Sequence, residues 1–246
     1  MGTQPGFVRA RTPENKERRT ADLLDSAREL ARAQGVRTLT LTAIATRAGV
    51  HVSGVRRYFE SREEILLVLA GGEWTDWASA VVERLDAAGR PMPGAALARL
   101  LASSLEECPL FCDLLAHAQV SLEREVGAAS VRAYKVAALD AMAELTAALT
   151  RAVPGLTGEA AWNLLASATA LAATLWQTAN PGEVLAKLYA EDPSLAHARA
   201  EFGPRMTEIL DALITGLIEQ AARRLRGPRA RLEVCLPDEG RYRGRL

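Results

Sequence analysis

Two adjacent arginines, Arg56 and Arg57, end a short polar stretch that begins at His51 and includes Val52 and Ser53. A guanidinium group presents its N–H donors in a planar fork, which suits paired hydrogen bonds to a guanine edge or to a phosphate. If the stretch is helical, these five side chains share its outer face. A helix with these residues on its outer face is typical of those that enter the major groove of DNA.

The residues before this stretch predict a partner helix and a sharp turn. Thr40 is a suitable N-cap, and apolar residues follow it at helical spacing. Gly49 can adopt the left-handed backbone conformation that a tight corner requires. After the corner, Val50, Val55 and Tyr58 fall on the inward face. The pattern predicts a helix-turn-helix, although any helical hairpin with a glycine corner would share part of it.

A further helix is predicted directly afterwards, because Ser61 and Glu64 form a capping box. With this addition, residues 40–65 resemble the DNA-binding domain of the TetR family of transcriptional regulators. The matching runs are 40–45, 48–50 and 61–65. Arg56 stands where the family usually has a tyrosine, and Arg62 where it commonly has a lysine.

The resemblance implies a set of DNA contacts. Base contacts are expected from His51, Val52, Ser53, Arg56 and Arg57. Phosphate contacts are expected from Thr40, Thr42, Tyr58 and Arg62. Gly54 lies inside the reading helix, where glycine costs about 0.5–1 kcal/mol relative to alanine.

A second group with possible chemistry is Cys108, Cys112, Asp113 and His117. The two thiols are one helical turn apart, and Cys108 at a helix N-terminus would have a lowered pKa. Two thiols and one histidine fall short of a tetrahedral metal set, and the segment around them is apolar enough to be ordinary core. We therefore expect no metal and no cofactor, with a thiol sensor as an open variant. No nucleophile, phosphate-loop or paired-carboxylate pattern is present, so an enzyme is not expected.

Length and composition fit one large or two modest globular domains. The 246 residues are 49% hydrophobic, and the net charge is zero. The charge is unevenly distributed: residues 1–70 carry a surplus of four positive charges, and residues 71–225 an excess of seven negative ones. One basic end suits a protein that contacts DNA there only. We found no secretory pattern and no apolar run long enough to cross a bilayer, so a cytoplasmic protein without membrane contact is expected.

Helical periodicity runs through nearly the whole chain and predicts an all-α fold. We expect a disordered arm (1–12), a three-helix helix-turn-helix domain (13–60), a helical ligand-binding and dimerisation domain (61–226) and a basic tail (227–246). The fourth helix should run over 62–88, interrupted at Gly71 and Gly72 by a hinge or a mere bend. Further helices are expected at 95–107, 109–118, 122–152, 158–178 and 204–226, with a short turn at 182–189.

The body offers aromatic and amphipathic side chains that are typical of a ligand cavity, with ordinary core packing as the alternative. The candidate cavity residues are Trp74, Trp77, Phe111, Gln119, Tyr134, Met142, Trp162, Thr169, Trp176 and Gln177. Two body helices are apolar on more than one face, which favours burial against a second copy of the chain. The candidate dimer residues are Leu164, Ala168, Leu171, Leu175, Ile209, Leu210, Leu213 and Leu217.

The first hypothesis is a homodimeric repressor that binds a palindromic DNA operator and is released by a small-molecule inducer. In the resembling family, the inducer binds among the body helices, moves the fourth helix and spreads the two reading heads. The second hypothesis is an all-helical small-molecule-binding protein or enzyme that does not bind DNA.

Overall fold

The computed structural model describes residues 13–88, 91–118, 121–196 and 201–226. Across these ranges the chain consists of helices and their connections without any strand, which confirms the all-α prediction. The helices are α1 (Pro13–Gln34), α2 (Leu41–Arg47), α3 (Val52–Val55), α4 (Arg62–Ala87), α5 (Gly94–Glu106), α6 (Pro109–Ala118), α7 (Ala128–Ala152), α8 (Gly158–Ala179), α9 (Glu183–Glu191) and α10 (Phe202–Arg226). The arm and tail predicted at 1–12 and 227–246 lie outside the described residues.

The first three helices form a small head. Gly35 follows α1 with a φ of 82°, and a 3₁₀ turn (Val36–Thr38) leads to α2. The Thr40 hydroxyl accepts a hydrogen bond from the Ala43 N–H at 3.1 Å, as the predicted cap requires. Gly49 has a φ of 65°, so the corner between α2 and α3 uses the left-handed conformation that favours glycine.

The second helix of this pair is shorter than the sequence predicts. α3 ends at Val55, but the backbone continues into a further turn in which the Phe59 N–H donates to the Val55 carbonyl at 3.1 Å. Gly54 lies within α3 and weakens it, because glycine loses more backbone freedom on folding than other residues. Val55 and Phe59 are both buried. Arg56 and Arg57 therefore lie on a turn that is anchored at both ends.

α4 belongs to both the head and the body. The Ser61 hydroxyl accepts from the Glu64 N–H at 3.1 Å, which is one half of the predicted capping box. The Glu64 carboxylate accepts from the Glu60 N–H at 2.6 Å rather than from Ser61. Ile65, in the first turn, and Trp77, further along, are both fully buried, and the helix packs against α1, α5, α6 and α7. One helix thus carries core residues for two parts of the molecule.

Gly71 and Gly72 do not interrupt α4, which is continuous from Arg62 to Ala87. The predicted interruption of the helix at this pair is therefore wrong. A Cβ added at Gly71 would lie 3.6 Å from the Cβ of Ala137 on α7, which is an ordinary van der Waals contact, so the helix packing does not require glycine there.

The length and apolar character of α4 also satisfy the simple test for a membrane-spanning helix, contrary to the expectation that no segment would. In the fold, 61% of its most apolar window is buried inside the protein. Packing against neighbouring helices therefore accounts for its apolar side chains.

The remaining helix boundaries agree with the predicted ones within two residues, except in two places. Leu122–Arg124 is a separate 3₁₀ turn, and α7 begins only at Ala128, after Gly127. The segment predicted as a short turn at 182–189 is the helix α9, none of whose residues is buried. Glycine at a helix entrance and poor burial explain why local periodicity was misleading at these two sites.

Three aromatic rings fill the centre of the body. The ring centroids of Trp74, Trp77 and Phe111 lie 5.1–5.9 Å apart. Trp77 Nε1 donates to Ser104 Oγ at 3.0 Å, so its buried N–H has a partner. These contacts fix α4 against α5 and α6.

α8 and α10 pack against each other and keep apolar side chains at their outer surface. Of the predicted dimer residues, Leu164, Ala168 and Leu210 are fully buried within the single chain, so they are core residues without surface to offer a partner. The half-buried ones are Leu171, Leu175, Ile209, Leu213 and Leu217.

Glu73 is a buried carboxylate where α4 meets the head. Its Oε1 lies 3.5 Å from Arg28 Nε and 3.8 Å from Arg32 Nη2, both on α1, and these distances exceed normal hydrogen-bond lengths. Burial raises the pKa of Glu73, and this effect outweighs the two guanidinium groups, which lower it; Asp76 adds to the increase. The charged form is therefore less favourable in the folded protein than in water.

We expect Glu73→Gln to stabilise the protein at neutral pH. A carboxyl group whose pKa is raised by folding costs nothing while it is protonated in both states, and it reduces stability as the pH rises through the folded-state pKa. The variant should lack this decline. Urea unfolding, followed by circular dichroism from below the ordinary glutamate pKa to neutral pH, measures it, with Glu83→Gln on the exposed side of α4 as the control. A lower neutral-pH stability in the Glu73 variant would mean that the arginine pairs dominate.

Candidate nucleic-acid interface and ligand cavity

The outer surface of the helix-turn-helix presents most of the predicted DNA-contacting residues. Arg56 and Arg57 are exposed, and no carboxylate pairs with either within the described ranges. By contrast, the exposed Arg47 on α2 is paired with Glu29, with Nε and Oε2 2.6 Å apart. The two adjacent guanidinium groups therefore keep their donors available.

His51 and Ser53 are exposed but hydrogen-bonded to each other. His51 is the N-cap of α3: its Nδ1 accepts from the Ser53 N–H at 3.2 Å and lies 2.9 Å from the Ser53 hydroxyl. This arrangement holds both polar groups at the start of α3. Val52 is half-buried and packs against the core, so only part of it faces outward.

The predicted phosphate-contacting residues fall into two groups. Thr40 and Thr42 are exposed at the start of α2, and Tyr58 is half-buried. Arg62 differs, since its Nη2 donates to the Val36 carbonyl at 3.4 Å and its Nη1 lies 3.6 Å from Glu63 Oε1. This guanidinium is held partly against the protein, and its phosphate contact stays a prediction.

A cavity of about 950 Å³ lies in the body between α4, α6, α7, α8 and α9. Six of the ten predicted cavity residues line it: Trp74, Tyr134, Met142, Trp162, Thr169 and Gln177. Trp74 Nε1 and the Tyr134 hydroxyl lie 3.4 Å apart, and burial raises the pKa of Tyr134. The tyrosine therefore stays protonated at neutral pH and keeps a hydroxyl group at the cavity wall.

Three predicted cavity residues have other roles. Trp77 and Phe111 are fully buried in the aromatic centre. Trp176 packs edge-on against Phe202 of α10, with ring centroids 5.6 Å apart. Large aromatic side chains stabilise a core as readily as they line a cavity, so residue type alone did not separate these roles. Gln119 lies outside the described residues.

The small and marginal residues of the lining were not among those predicted from the sequence. α8 contributes a strip of alanine and threonine with helical spacing, and α9 contributes Leu185 and Tyr189. The missed residues are Leu115, Ala116, Ala118, Ala166, Ala170, Ala173, Thr174, Thr178, Leu185 and Tyr189. The strip along α8 was a usable signal, since small side chains at intervals of three and four residues leave room beside a helix.

The two thiols of the cysteine group lie in surroundings that disfavour the thiolate form. Burial, followed by the carboxylates of Glu73 and Glu107, raises the pKa of Cys108, so the predicted lowering is wrong. Burial raises the pKa of the Cys112 thiol to about 12, and its Sγ donates to the Leu105 carbonyl at 3.3 Å. Among the described residues no cluster of three or more potential metal ligands occurs.

The head and body together define a class of protein. A helix-turn-helix with free arginines, joined through one long helix to a body that contains an apolar cavity, is the architecture of a ligand-binding transcriptional regulator. The family profile described as bacterial regulatory proteins, tetR family, matches residues 23–69, and the one described as tetracyclin repressor-like, C-terminal domain, matches residues 72–221. The chain belongs to the TetR family of transcriptional regulators.

Solved structures share this fold at low sequence identity. Thermus thermophilus FadR, a TetR family transcriptional repressor in complex with lauroyl-CoA, is 19% identical with a TM-score of 0.51, and the match covers 80% of this chain and 94% of that one. Bacillus subtilis FadR in complex with stearoyl-CoA is 15% identical and has the same TM-score, and the match covers 80% of this chain and 98% of that one. The multidrug binding protein EbrR, complexed with imidazole, is 15% identical with a TM-score of 0.51, and the match covers 79% of this chain and 94% of that one. No curated protein sequence matches the chain.

We expect Gly54→Ala to raise the free energy of unfolding by about 0.5–1 kcal/mol, because alanine loses less backbone freedom on folding. The added Cβ would lie 3.6 Å from the Val50 Cβ, which is an ordinary contact. Urea unfolding measures the change, and Gly49→Ala is the contrasting variant, since a φ of 65° strains alanine there. If Gly54→Ala does not raise the free energy of unfolding, the glycine does not limit the stability of α3.

Proposed function

We propose that this TetR-family regulator is a cytoplasmic homodimeric repressor, which binds a palindromic operator and leaves it when a small molecule occupies the body cavity. The observation that carries the proposal is the double role of α4. Its first residue, Arg62, contacts the turn before α2, and Trp74, further along the same helix, lines the cavity. A ligand beside Trp74 therefore touches the helix that supports the reading head.

The proposed base contacts come from His51, Ser53, Arg56 and Arg57, all of them exposed. Thr40 and Thr42, at the start of α2, are proposed to contact phosphates, because exposed hydroxyl groups beside helix N–H groups suit anions. Val52 and Tyr58 are half-buried, so they are proposed to make only minor contacts with the DNA. Arg62 is proposed to position these groups in addition to its predicted phosphate contact.

The proposed dimer joins the outer faces of α8 and α10. Their half-buried leucines and isoleucine would gain burial against the same residues of a second copy, which is the arrangement of a two-fold interface. Two heads fixed in this way would reach two half-sites of one operator. Repression then follows if the operator overlaps a promoter.

Release by a ligand is proposed to be a two-state equilibrium. A ligand that binds better to the arrangement with separated heads must, by linkage, weaken DNA binding by the same factor, typically about 1–3 kcal/mol. The similar structures that hold lauroyl-CoA or stearoyl-CoA support small-molecule binding within this fold. Regulators of this family are generally not enzymes, and no catalytic role is proposed.

The experiment is DNA selection from a random pool by the purified protein, followed by titration of the selected operator at several salt concentrations. Arg57→Ala should weaken binding and reduce discrimination between operator and mutated DNA, because Arg57 is a proposed base contact. If Arg57 instead contacts phosphate, the variant should reduce the slope of log affinity against log salt by about 2 in a dimer, because each lost phosphate contact changes it by about 0.9.

Arg223→Ala is the matched control, since Arg223 is an exposed arginine at the far end of α10. It should leave affinity and slope unchanged. Equal effects of the two variants would reject the proposed interface. Failure to select any palindrome would favour the second hypothesis, a helical small-molecule-binding protein that does not bind DNA.

A further inference from the structure

The cavity wall is uncharged throughout the lining that the structure describes. Its sixteen residues are apolar, aromatic, hydroxyl-bearing or amide side chains, without an acid, lysine or arginine. A charged group taken from water into such surroundings loses hydration without gaining an ion pair. The cavity therefore favours an uncharged molecule with a mostly apolar body.

One polar residue of the lining is connected to the DNA-binding head. Gln177, at the mouth of the cavity, donates from Nε2 to Asp113 Oδ1 at 2.8 Å. The other oxygen of the same carboxylate, Oδ2, accepts from the Val36 N–H at 2.7 Å. His117 Nε2 lies 3.6 Å from Oδ1. Asp113 thus bridges the cavity and the turn that precedes α2.

The two bonds of Asp113 depend on each other. A carboxylate is planar, so rotation about its last side-chain bond moves both oxygens together. Asp113 is largely buried, and Val36 is fully buried, so the Val36 N–H cannot exchange this acceptor for water without local opening. A rotation of the Asp113 carboxylate would therefore move the acceptor of the Val36 N–H together with that of Gln177.

Val36 is held on its second polar group as well. Its carbonyl accepts from Arg62 Nη2 at 3.4 Å. Asp113 of α6 therefore binds the N–H of Val36, and Arg62 of α4 binds its carbonyl. Four residues later, Thr40 caps α2. The contacts of Val36 therefore lie close to the start of α2, which is also held by its buried residues Ile44 and Ala45.

We propose that the inducer is an uncharged, largely apolar molecule with a hydrogen-bonding oxygen, which engages Gln177 and thereby draws it away from Asp113. Asp113 then turns, the Val36 N–H loses its acceptor, and the head loses its fixed orientation. This inference rests on the proposed function and specifies the ligand class and the path of the signal. Asp113 and Gln177 are positioning residues in this scheme and do not contact DNA.

Binding is tested with three ten-carbon probes that differ only in the head group: 1-decanol, decanoate and decylamine. A change in tryptophan fluorescence reports occupancy, since Trp74 and Trp162 line the cavity and their surroundings become less polar when an alkyl chain displaces water. We expect 1-decanol to bind at least about tenfold more tightly than either charged probe, the penalty of an unpaired buried charge. Ala170→Phe, which places a ring in the cavity at an exposed position of α8, should abolish binding. Equal or tighter binding of a charged probe would overturn the ligand class.

The signal path is tested by hydrogen exchange of the Val36 amide, measured by NMR without DNA. Gln177→Leu should speed this exchange by about tenfold, the loss of one hydrogen bond. Saturating 1-decanol should do the same in the wild type and add nothing in Gln177→Leu. Gln220→Leu, the same substitution at an exposed position of α10 outside the cavity lining, is the control and should exchange and respond like the wild type.

The outcomes separate this inference from the proposed function. If 1-decanol releases the selected operator while Val36 exchange stays unchanged, the path through Asp113 is wrong and the regulator remains. If Val36 exchange responds but operator affinity does not, the path stands and ligand-controlled DNA binding fails. Asp113→Asn should weaken the effect of 1-decanol on Val36, whereas Asp140→Asn, an exposed change on α7, should not.

Discussion

The structure depends on α4 being buried at both ends by different partners. Its first turns supply Ile65 and Leu66 to the interior beside α1, and its later turns supply Trp74 and Trp77 to the aromatic centre. A close-packed interior tolerates little displacement of such side chains. The helix therefore cannot shift easily against the body without also shifting against the head, which makes it a rigid connection between the two.

Polar contacts at this link serve geometry more than stability. Glu73 sits among two arginines of α1, yet its buried charge is disfavoured on balance. Asp113 divides its oxygens between the head and the body. Buried polar groups of this kind can be retained because they specify one arrangement, even when apolar residues would stabilise the fold as well. The junction is thus specified by direction-dependent contacts, while the helices on either side are held by apolar packing.

Local sequence determined the head better than the body. Thr40, Gly49 and Ser61 act through their own backbone surroundings, so cap, corner and helix start were all predictable. The hydrogen bond of Arg62 was not predictable, because its partner, the Val36 carbonyl, comes from a distant turn. Only some of the cavity residues were predicted, because the aromatic character of a side chain does not reveal whether its ring faces a cavity or another ring. The link through Asp113 joins residues 77 and 64 positions away, which no periodicity indicates.

α9 forms part of the cavity wall through Leu185 and Tyr189, although none of its residues is buried. A segment with so few interior contacts detaches at a small cost in free energy, well below that of global unfolding. A small molecule that passes this helix need not displace Trp77 or Phe111, the two rings of the aromatic centre that do not line the cavity. The ease with which α9 detaches and the heat resistance of the fold are consequently separate properties of the molecule, open to independent adjustment.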